Sequence, residues 1–341
     1  MAFTLKDIAS LTGVSTATVS RVLNGKSGVK EETRDKIMQL IKEVDYMPDA
    51  TARSMKTGKT YTIGMVVADI TNPFYSEAAK IIEFQARKQN YTLIVGNTGN
   101  STQEEETILT AFQERNVDGF IIASTHLQDK KVRNIIRSGY PTILYHRRLE
   151  KKENAHYIGC NEEQGVKLAL EHLTGLGHRR IGFVSGPRRF STGVERLKAF
   201  IEQGEQFQIE KGTYLIKEGG YDKKKTLEAV EELLRLPVRP TAIFAANDFM
   251  ALQVLDLVLE KGLRVPEDIS IMGFDDIPLA AHHSINLSTI DVQLHKGAIV
   301  AIEKLISLID KAHPNNTPIQ IMLDPQLKAR ESTGPPPFTA D

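Results

Sequence analysis

Cysteine is nearly absent from this chain of 341 residues. The single one, Cys160, excludes an internal disulfide and a metal site built from several cysteines, so we expect it to be a small apolar side chain at a strand end. Long apolar runs and a signal-peptide pattern are also missing, so the sequence predicts neither membrane insertion nor export. We therefore expect a cytoplasmic protein, and no motif predicts a cofactor or a metal ion.

Net charge is absent as well. The 43 basic and 43 acidic residues cancel, which by itself does not indicate a nucleic-acid-binding protein. Residues 1–60 nevertheless carry ten basic and seven acidic residues, a net charge of +3, which leaves −3 for the remainder. This charge asymmetry is mild, and it indicates nucleic-acid binding only in combination with the motif that the same residues contain.

Two short helices joined by a glycine turn are predicted between residues 4 and 25. Thr4 followed by Asp7 is typical of a capping box, and Gly13 is expected to end the first helix. Ser15 is expected to cap the second helix, which Asn24 and Gly25 end. The apolar residues recur on one side of each helix: Leu5, Ile8, Ala9 and Leu11 in the first, and Val19, Val22 and Leu23 in the second.

The outer face of the second helix is small, polar and singly basic. At about 100° per residue, Thr16, Ala17, Ser20, Arg21 and Asn24 fill one arc, opposite Thr18 and the apolar residues. Such a face fits the major groove of DNA, where hydroxyl groups and an arginine reach base edges and phosphates. The alternative is an ordinary helical hairpin with a solvated face. We favour DNA binding, with contacts from Thr4, Ser15, Thr16, Ala17, Thr18, Ser20, Arg21 and Asn24.

Longer segments of the chain resemble one known family. The runs VSTATVSRVLNG, VKEETRDKI, YMPDATARSMKTGKTYTIGMVVADITNPFY and LKARES are similar to the LacI/GalR family of bacterial transcriptional regulators, and the resemblance covers nearly the whole chain. Apolar residues at helical spacing predict a third helix in residues 30–45, and the resemblance implies a three-helix helix-turn-helix head in residues 1–47. It also implies a hinge helix within residues 48–60 that folds when two copies pair in the DNA minor groove.

The hinge carries both matches to the family and departures from it. Ala52, Arg53 and Met55 occupy the family's DNA-contacting positions, although Asp49 stands where asparagine is usual and Met55 where leucine is usual. Methionine can still act as an apolar wedge between base steps. The segment is too short to be a stable helix in isolation, so a plain linker is the alternative in the absence of DNA.

From residue 61 onward, apolar runs alternate with amphipathic segments, which predicts parallel sheets covered by helices and an α/β core of two Rossmann-like lobes. The resemblance implies the periplasmic-binding-protein-like arrangement, in which the chain crosses between lobes near residues 160, 290 and 323. The first lobe then comprises about 61–160 and 292–323, and the second about 161–291 and 324–331. Residues 332–341 are predicted to be a disordered tail. No leucine heptads for a tetramerising helix occur, so we expect a homodimer.

Ligands of open parallel sheets bind beyond the carboxyl ends of the strands. The residues at these positions combine carboxylates, guanidinium groups and aromatic rings, as recognition of a polar, ring-shaped molecule requires. The resemblance implies effector contacts by six of them: Asn72, Phe74, Arg147, Arg196, Asp248 and Asp275. Their position adds Ser124, His146, Phe190 and Asn247 to the predicted effector site.

One departure bears on the effector. The family often has Asp-Arg after the fourth strand, whereas this chain has His146, Arg147 and Arg148. Together with Arg188, Arg189 and Arg196, this favours an anionic effector such as a sugar phosphate or sugar acid. The alternative is that Arg148, Arg188 and Arg189 face water.

Enzymatic activity is not expected. Asp275 and Asp276 are adjacent in sequence and need not converge on one bond, while His178 precedes a strand and is expected to be structural. The chain contains no HExxH, Walker or GxSxG motif. We therefore expect a dimeric repressor that binds an inverted-repeat operator and responds to a small molecule. Two alternatives remain open. These are control by a protein corepressor, as in the catabolite-control branch, and a sugar-binding protein without DNA function.

Overall fold

The computed structural model describes residues 3–23, 25, 27–46, 54, 58–150, 155–210, 212, 215–310 and 317–337. The chain divides into two compact units, Met1–Thr60 and Tyr61–Asp341. We call them the head and the core and describe each by itself. The described helices are too short or too polar to cross a lipid bilayer.

The head contains the helices α1 (Leu5–Thr12), α2 (Thr16–Leu23) and α3 (Glu31–Glu43). The predicted capping box is confirmed, because Thr4 Oγ1 accepts from the Asp7 amide at 3.3 Å and Asp7 Oδ2 accepts from the Thr4 amide at 2.8 Å. Gly13 ends α1 with φ 74°, a left-handed conformation that glycine adopts without strain. Ser15 caps α2 by accepting from the Thr18 amide at 3.2 Å. The local signals therefore specify both ends of the turn between α1 and α2.

The apolar side of α1 differs from the prediction at one position. Ile8 and Ala9 pack against Val19, Val22 and Ile37, but Leu11 is 57% exposed. Thr12 is buried in its place and donates from Oγ1 to the Ile8 carbonyl oxygen at 2.6 Å. The buried face follows the helical steps of three, four and seven residues from Leu5, and these reach Thr12 rather than Leu11.

The first lobe of the core is a parallel six-stranded sheet with helices against it. Its strand order is β11-β5-β4-β3-β1-β2, and every neighbouring pair is parallel. The strands are β1 (Thr62–Val67), β2 (Thr92–Asn97), β3 (Gly119–Ile122), β4 (Thr142–Tyr145), β5 (His156–Cys160) and β11 (Gln320–Leu323). The helices are α4 (Pro73–Lys88), α5 (Thr102–Glu114), α6 (Lys130–Arg137) and α11 (Leu294–Ile309).

The second lobe contains a parallel four-stranded sheet in the order β7-β6-β8-β9. Its strands are β6 (Ile181–Ser185), β7 (Ile216–Glu218), β8 (Ala242–Ala245) and β9 (Ser270–Met272). Its helices are α7 (Glu162–Gly175), α8 (Ser191–Gln206), α9 (Lys223–Leu234) and α10 (Asp248–Glu260). A short 3₁₀ helix, Pro278–Ala281, follows β9.

Three passages of the chain join the lobes. β5 leads into α7, β10 (Thr289–Asp291) leads into α11, and β11 leads into β12 (Gln326–Lys328). β10 and β12 pair antiparallel, which ties two of these passages together. The helix-turn-helix head and the two-lobed parallel α/β core confirm the predicted fold class. Ligand sites on such a core lie where the carboxyl ends of the two sheets face each other.

The predicted disordered tail is wrong for its first residues. Ser332 is buried, accepts from the Ser288 amide at 2.8 Å and donates to the Ile271 carbonyl oxygen at 2.6 Å. The carbonyl oxygen of Gly334 lies 2.9 Å from His178 Nε2. Proline content indicated disorder, but buried polar groups of the second lobe hold this segment through hydrogen bonds. His178 is thereby a structural residue, as expected.

Candidate functional site

The helix α2 presents the predicted polar face to the surface of the head. Thr16, Ala17 and Arg21 are exposed and Ser20 is half-buried, whereas Val19 and Val22 are buried. The exposed and buried arcs of α2 therefore agree with those predicted from the helical periodicity. An exposed arginine and hydroxyl groups on a rigid helix can donate to base edges and phosphates in a DNA groove.

The remaining predicted DNA contacts divide into two groups. Thr4 and Ser15 are exposed at the helix N-termini that they cap, and Thr18 Oγ1 lies 3.0 Å from Ser15 Oγ. Their hydroxyl groups thus position α1 and α2. Four residues with predicted contacts lie outside the described residues: Asn24, Ala52, Arg53 and Met55.

A cleft lies between the two lobes of the core, at the carboxyl ends of their strands. It leaves about 20 Å³ for the centres of water molecules, room for roughly one. The cleft is thus almost filled by the side chains that line it, and these are polar or aromatic. The lining residues are Asp69, Asn72, Phe74, Tyr75, Asn100, His146, Arg147, Thr192, Arg196, Tyr221, Asn247, Phe249 and Asp275.

Arg196 organises the second-lobe side of the cleft. It is 1% exposed, and its Nε donates to Glu162 Oε2 at 2.6 Å while its Nη2 donates to Asp275 Oδ1 at 3.3 Å. Its Nη1 donates to the Ala246 carbonyl oxygen, and its guanidinium group lies 3.8 Å from the ring centre of Phe274. Burial opposes the charge, but Glu162 and Asp275 together raise the pKa of Arg196. A fixed cation with a carboxylate beside it can bind a hydroxyl group or a ring nitrogen of a ligand.

Asp275 is held in an unusual backbone conformation in this cleft. Its φ of 121° is rare for a residue other than glycine, and its amide donates to the Ile290 carbonyl oxygen at 2.8 Å. Burial raises the pKa of Asp275 well above its ordinary value, in spite of the nearby Arg196. The carboxyl group is therefore poorly solvated and available to a ligand that enters the cleft.

Asp248 does not line the cleft, which corrects the predicted effector contact. Its Oδ1 accepts from Thr289 Oγ1 at 2.5 Å and its Oδ2 accepts from the Ile277 amide at 2.9 Å. Burial raises the pKa of Asp248 to about 6. Asn247, one residue earlier, caps α10 through the Met250 amide and lines the cleft. Asp248 is instead a structural link within the second lobe.

Aromatic and polar residues form the first-lobe side. Asn72 caps α4 by accepting from the Phe74 amide at 3.0 Å, and the rings of Phe74 and His146 lie 4.4 Å apart. His146 adopts φ 65°, and it is one of four residues of the cleft lining, none of them glycine, that have positive φ. Burial, together with Arg196 and Arg147, lowers the pKa of His146 well below its ordinary value. His146 is therefore neutral at pH 7 and offers one donor and one acceptor.

The predicted arginines behave differently from one another. Arg147 is 3% exposed and lines the cleft. Arg148 forms an ion pair with Glu195 of the second lobe, and Arg188 is exposed. Arg189 is exposed but donates to the Asn100 carbonyl oxygen of the first lobe at 3.0 Å. Among these four, only Arg147 is positioned to contact a ligand enclosed in the cleft.

Ser124 and Phe190, both predicted effector contacts, do not line the cleft but contact Arg147, which does. The Ser124 carbonyl oxygen accepts from Arg147 Nη1 at 3.4 Å, and the Phe190 ring stacks on the same guanidinium group. Six lining residues are not among the predicted effector contacts: Asp69, Tyr75, Asn100, Thr192, Tyr221 and Phe249. Asn100 and Tyr221 follow β2 and β7 by three residues, so extending the strand-end rule to these strands would have found both.

Comparisons with known proteins agree with the structure of the head and with that of the core. Residues 4–49 match the model of bacterial regulatory proteins of the lacI family, and residues 170–333 match a periplasmic binding protein-like domain. The chain is 33% identical over 329 residues to the HTH-type transcriptional repressor PurR of Aliivibrio salmonicida, covering 96% of this chain and 98% of that one. The chain belongs to the LacI family.

Further relatives have the same organisation along their full length. The ribose operon repressor of Haemophilus influenzae is 33% identical, with 96% of this chain and 98% of the relative covered. A lac repressor dimer bound to operator and the anti-inducer ONPF has a TM-score of 0.84 at 25% identity, covering 98% of this chain and all of that one. This LacI-family chain is accordingly a DNA-binding transcriptional regulator that responds to a small-molecule effector.

Members of the family are regulators rather than enzymes. In the described part of the chain, no group of three or more histidine, cysteine or carboxylate side chains is arranged to hold a metal ion. Cys160 is buried, and burial raises the pKa of its thiol, so it is a poor nucleophile.

Proposed function

We propose that this chain is a dimeric repressor whose affinity for an inverted-repeat operator is set by a small polar effector of the carbohydrate type, bound between the lobes of the core. Thr16, Ala17, Ser20 and Arg21 of α2 contact the operator. Arg196, Asp275, Asn247, Asn72 and Phe74 contact the effector. As a DNA-binding regulator, the protein acts in the bacterial cytoplasm at the nucleoid.

The observation that carries this proposal is the composition of the cleft. Asn72 and Phe74 come from the first lobe, whereas Arg196, Asn247 and Asp275 come from the second. A ligand that contacts both sets binds one arrangement of the lobes more tightly than another, and can therefore shift the equilibrium between them. If operator binding also depends on that arrangement, the effector and the operator change each other's affinity by the same factor.

The carbohydrate class is supported by the chemistry of the lining and by relatives. Paired polar groups beside aromatic rings suit hydroxyl-rich rings, whose faces pack on the rings while their hydroxyl groups bind the polar groups. A CelR–cellobiose complex has a TM-score of 0.72 at 28% identity, covering 97% of this chain and 99% of that one. The lac repressor has also been solved with ONPG.

Dimerisation follows from the geometry of operator recognition. A single α2 reads one half-site, so an inverted repeat requires two heads held at fixed spacing by a two-fold symmetric assembly. The solved lac repressor relative is a dimer on its operator. We propose that the core holds the two copies together.

The proposal is tested with the full-length protein by thermal shift against monosaccharides and disaccharides, followed by operator titration with each compound that binds. We expect at least one compound to raise the melting temperature and to change operator affinity. Asp275→Asn should weaken both responses and leave operator binding without the compound unchanged. A protein that binds operator but no small molecule would favour a protein corepressor. One that binds a sugar but no operator would be a sugar-binding protein without DNA function.

A further inference from the structure

Two buried arginines in the same cleft differ in how their charge is compensated. Arg196 is in contact with two carboxylates, Glu162 and Asp275. Arg147 is nearly as buried, at 3% exposure, yet no carboxylate of the described residues lies within salt-bridge distance of its guanidinium group. Arg196 is thus a member of a structural ion network, whereas Arg147 is a buried cation without a counter-ion among the described residues.

The hydrogen bonds of Arg147 are few and involve neutral acceptors. Nη1 donates to Asn100 Oδ1 at 3.1 Å and to the Ser124 carbonyl oxygen at 3.4 Å. Nε is buried and has no hydrogen-bond partner. A guanidinium group has five N–H donors, so the described residues use only a minority of the hydrogen-bonding capacity of Arg147.

Aromatic rings of the second lobe cover this guanidinium group. Its carbon lies 3.7 Å from the ring centre of Phe190 and 5.4 Å from that of Tyr221, with Tyr75 of the first lobe at 6.0 Å. Ring faces attract a cation, but each such contact contributes less than an ion pair with good geometry. The rings therefore accommodate the charge without neutralising it.

Four titratable groups that interact electrostatically with Arg147 are neutral at pH 7. Burial, followed by the effect of Asp129, raises the pKa of Glu105 to about 8, so that its carboxyl group behind Ser124 is protonated. Burial raises the pKa of Tyr75 to about 12 and also raises that of Tyr221. His146 is neutral because burial lowers its pKa. Of the nearby acids, Asp129 instead caps α6 through the Val132 amide and lies 3.8 Å from His126.

Burying a charge without a partner is unfavourable, so a position of this kind is expected to serve a ligand rather than the fold. We propose that Arg147 binds the acid group of an anionic effector, a carboxylate or a phosphate attached to the polar scaffold that Arg196 and Asp275 recognise. This inference rests on the proposed effector site and specifies the chemical class of its ligand.

The geometry explains why an acid group would favour lobe closure. Asn100 and Ser124 hold Arg147 from the first lobe, and Phe190 and Tyr221 cover it from the second. A planar guanidinium group binds a carboxylate or a phosphate through two parallel hydrogen bonds, and this bond is stronger where water is excluded. The closed lobes provide that exclusion, so an anion at Arg147 stabilises the closed arrangement.

The first experiment uses simple anions as probes of the full-length protein. Melting temperatures are measured in sodium phosphate and in sodium acetate, each against sodium chloride at equal ionic strength. The wild type is compared with Arg147→Gln and with Arg148→Gln, a matched control whose guanidinium group is already paired with Glu195. We expect phosphate or acetate to raise the melting temperature of the wild type and of Arg148→Gln, but not that of Arg147→Gln. Stabilisation by phosphate would indicate a phosphate effector, and stabilisation by acetate would indicate a carboxylate effector.

The same variants provide a readout that requires no ligand. Because Arg147→Gln removes an uncompensated buried charge, it should melt at least as high as the wild type in chloride. A melting temperature lowered by several degrees would instead show that Arg147 is structural, and would overturn the inference. Equal anion effects in all three proteins, or no anion effect in any of them, would also overturn it.

Failure of this inference is distinguishable from failure of the proposed function. The protein could bind glucose but neither glucose 6-phosphate nor gluconate, in a way that depends on Asp275 and not on Arg147. That result would support the effector site and reject an anionic effector. Conversely, anions could bind in a way that depends on Arg147 while no compound changes operator affinity. That result would support the anion site and reject the proposal that an effector controls operator binding.

Discussion

Arg196 and Glu162 form an ion pair in which both side chains are 1% exposed and Nε lies 2.6 Å from Oε2. The pair fixes the guanidinium group on one side, so that Nη2 points to Asp275 on the other. Asp275 therefore presents its carboxyl group to the cleft from a rigid support. The proposed recognition of an effector by this carboxyl group therefore depends on the Arg196–Glu162 ion pair, which the effector itself does not contact.

Replacing Arg196 should destabilise the core strongly. Arg196→Met would leave the carboxyl group of Glu162 buried without its partner, which costs about 3–5 kcal/mol in comparable cases. Urea unfolding monitored by circular dichroism measures this loss. The control is Arg235→Met, because Arg235 is 74% exposed in its pair with Glu231 and such pairs contribute about 0–1 kcal/mol. Equal stability of the two variants would contradict the account of the buried pair.

Arg21→Ala should weaken operator binding and leave the fold of the head intact. Arg21 is exposed on α2, so its loss removes a contact to DNA rather than packing, at a cost on the order of 1–3 kcal/mol per half-site. Operator titration at fixed salt measures the effect. The control is Met38→Ala in α3, an exposed apolar residue with no charge to offer the DNA. Unchanged operator affinity of Arg21→Ala would argue against α2 as the reading helix.

Glu105 should make core stability depend on pH. Because its pKa is raised from 4.5 to about 8, folding favours the protonated form. Its contribution to stability is fully present below about pH 4.5 and is lost as the pH rises through about 8. Glu105→Gln cannot ionise, so its melting temperature relative to the wild type should increase from pH 5 to pH 9. A constant difference between the two proteins over this range would contradict the raised pKa.

Ser332→Ala should destabilise the second lobe. The hydroxyl group accepts from the Ser288 amide and donates to the Ile271 carbonyl oxygen, both in the interior. Leaving buried groups without partners costs about 1–3 kcal/mol. Thermal unfolding compares the variant with Ser284→Ala, a control at an exposed position. If both variants melt at the wild-type temperature, the segment after residue 331 does not contribute to stability.

Much of the fold could be predicted from local signals. Thr4, Gly13 and Ser15 specify the turn of the head through capping and backbone freedom, which depend on nearby residues alone. The alternation of apolar runs and amphipathic segments likewise predicts the two parallel sheets. Asn72, Arg196 and Asp275 could be assigned to the cleft because the carboxyl ends of parallel strands meet there.

The errors in the predictions concern residues whose position is determined by tertiary contacts rather than by local sequence. Asn247 and Asp248 are adjacent after β8, and the strand-end rule cannot tell which one faces the cleft. The start of α10 turns Asp248 inward to Thr289 and the Ile277 amide. Similarly, the composition of the tail gives no sign of the buried amide and the buried carbonyl oxygen that bind Ser332. The missing counter-ion of Arg147 also becomes visible only in three dimensions.

The most direct test of the central claim is selection of DNA by the full-length protein from a random double-stranded library. The account predicts enrichment of an inverted repeat with two half-sites at fixed spacing, and loss of that enrichment in Arg21→Ala. Enrichment of no symmetric sequence by the wild type, or the same inverted repeat selected by Arg21→Ala with undiminished affinity, would contradict it.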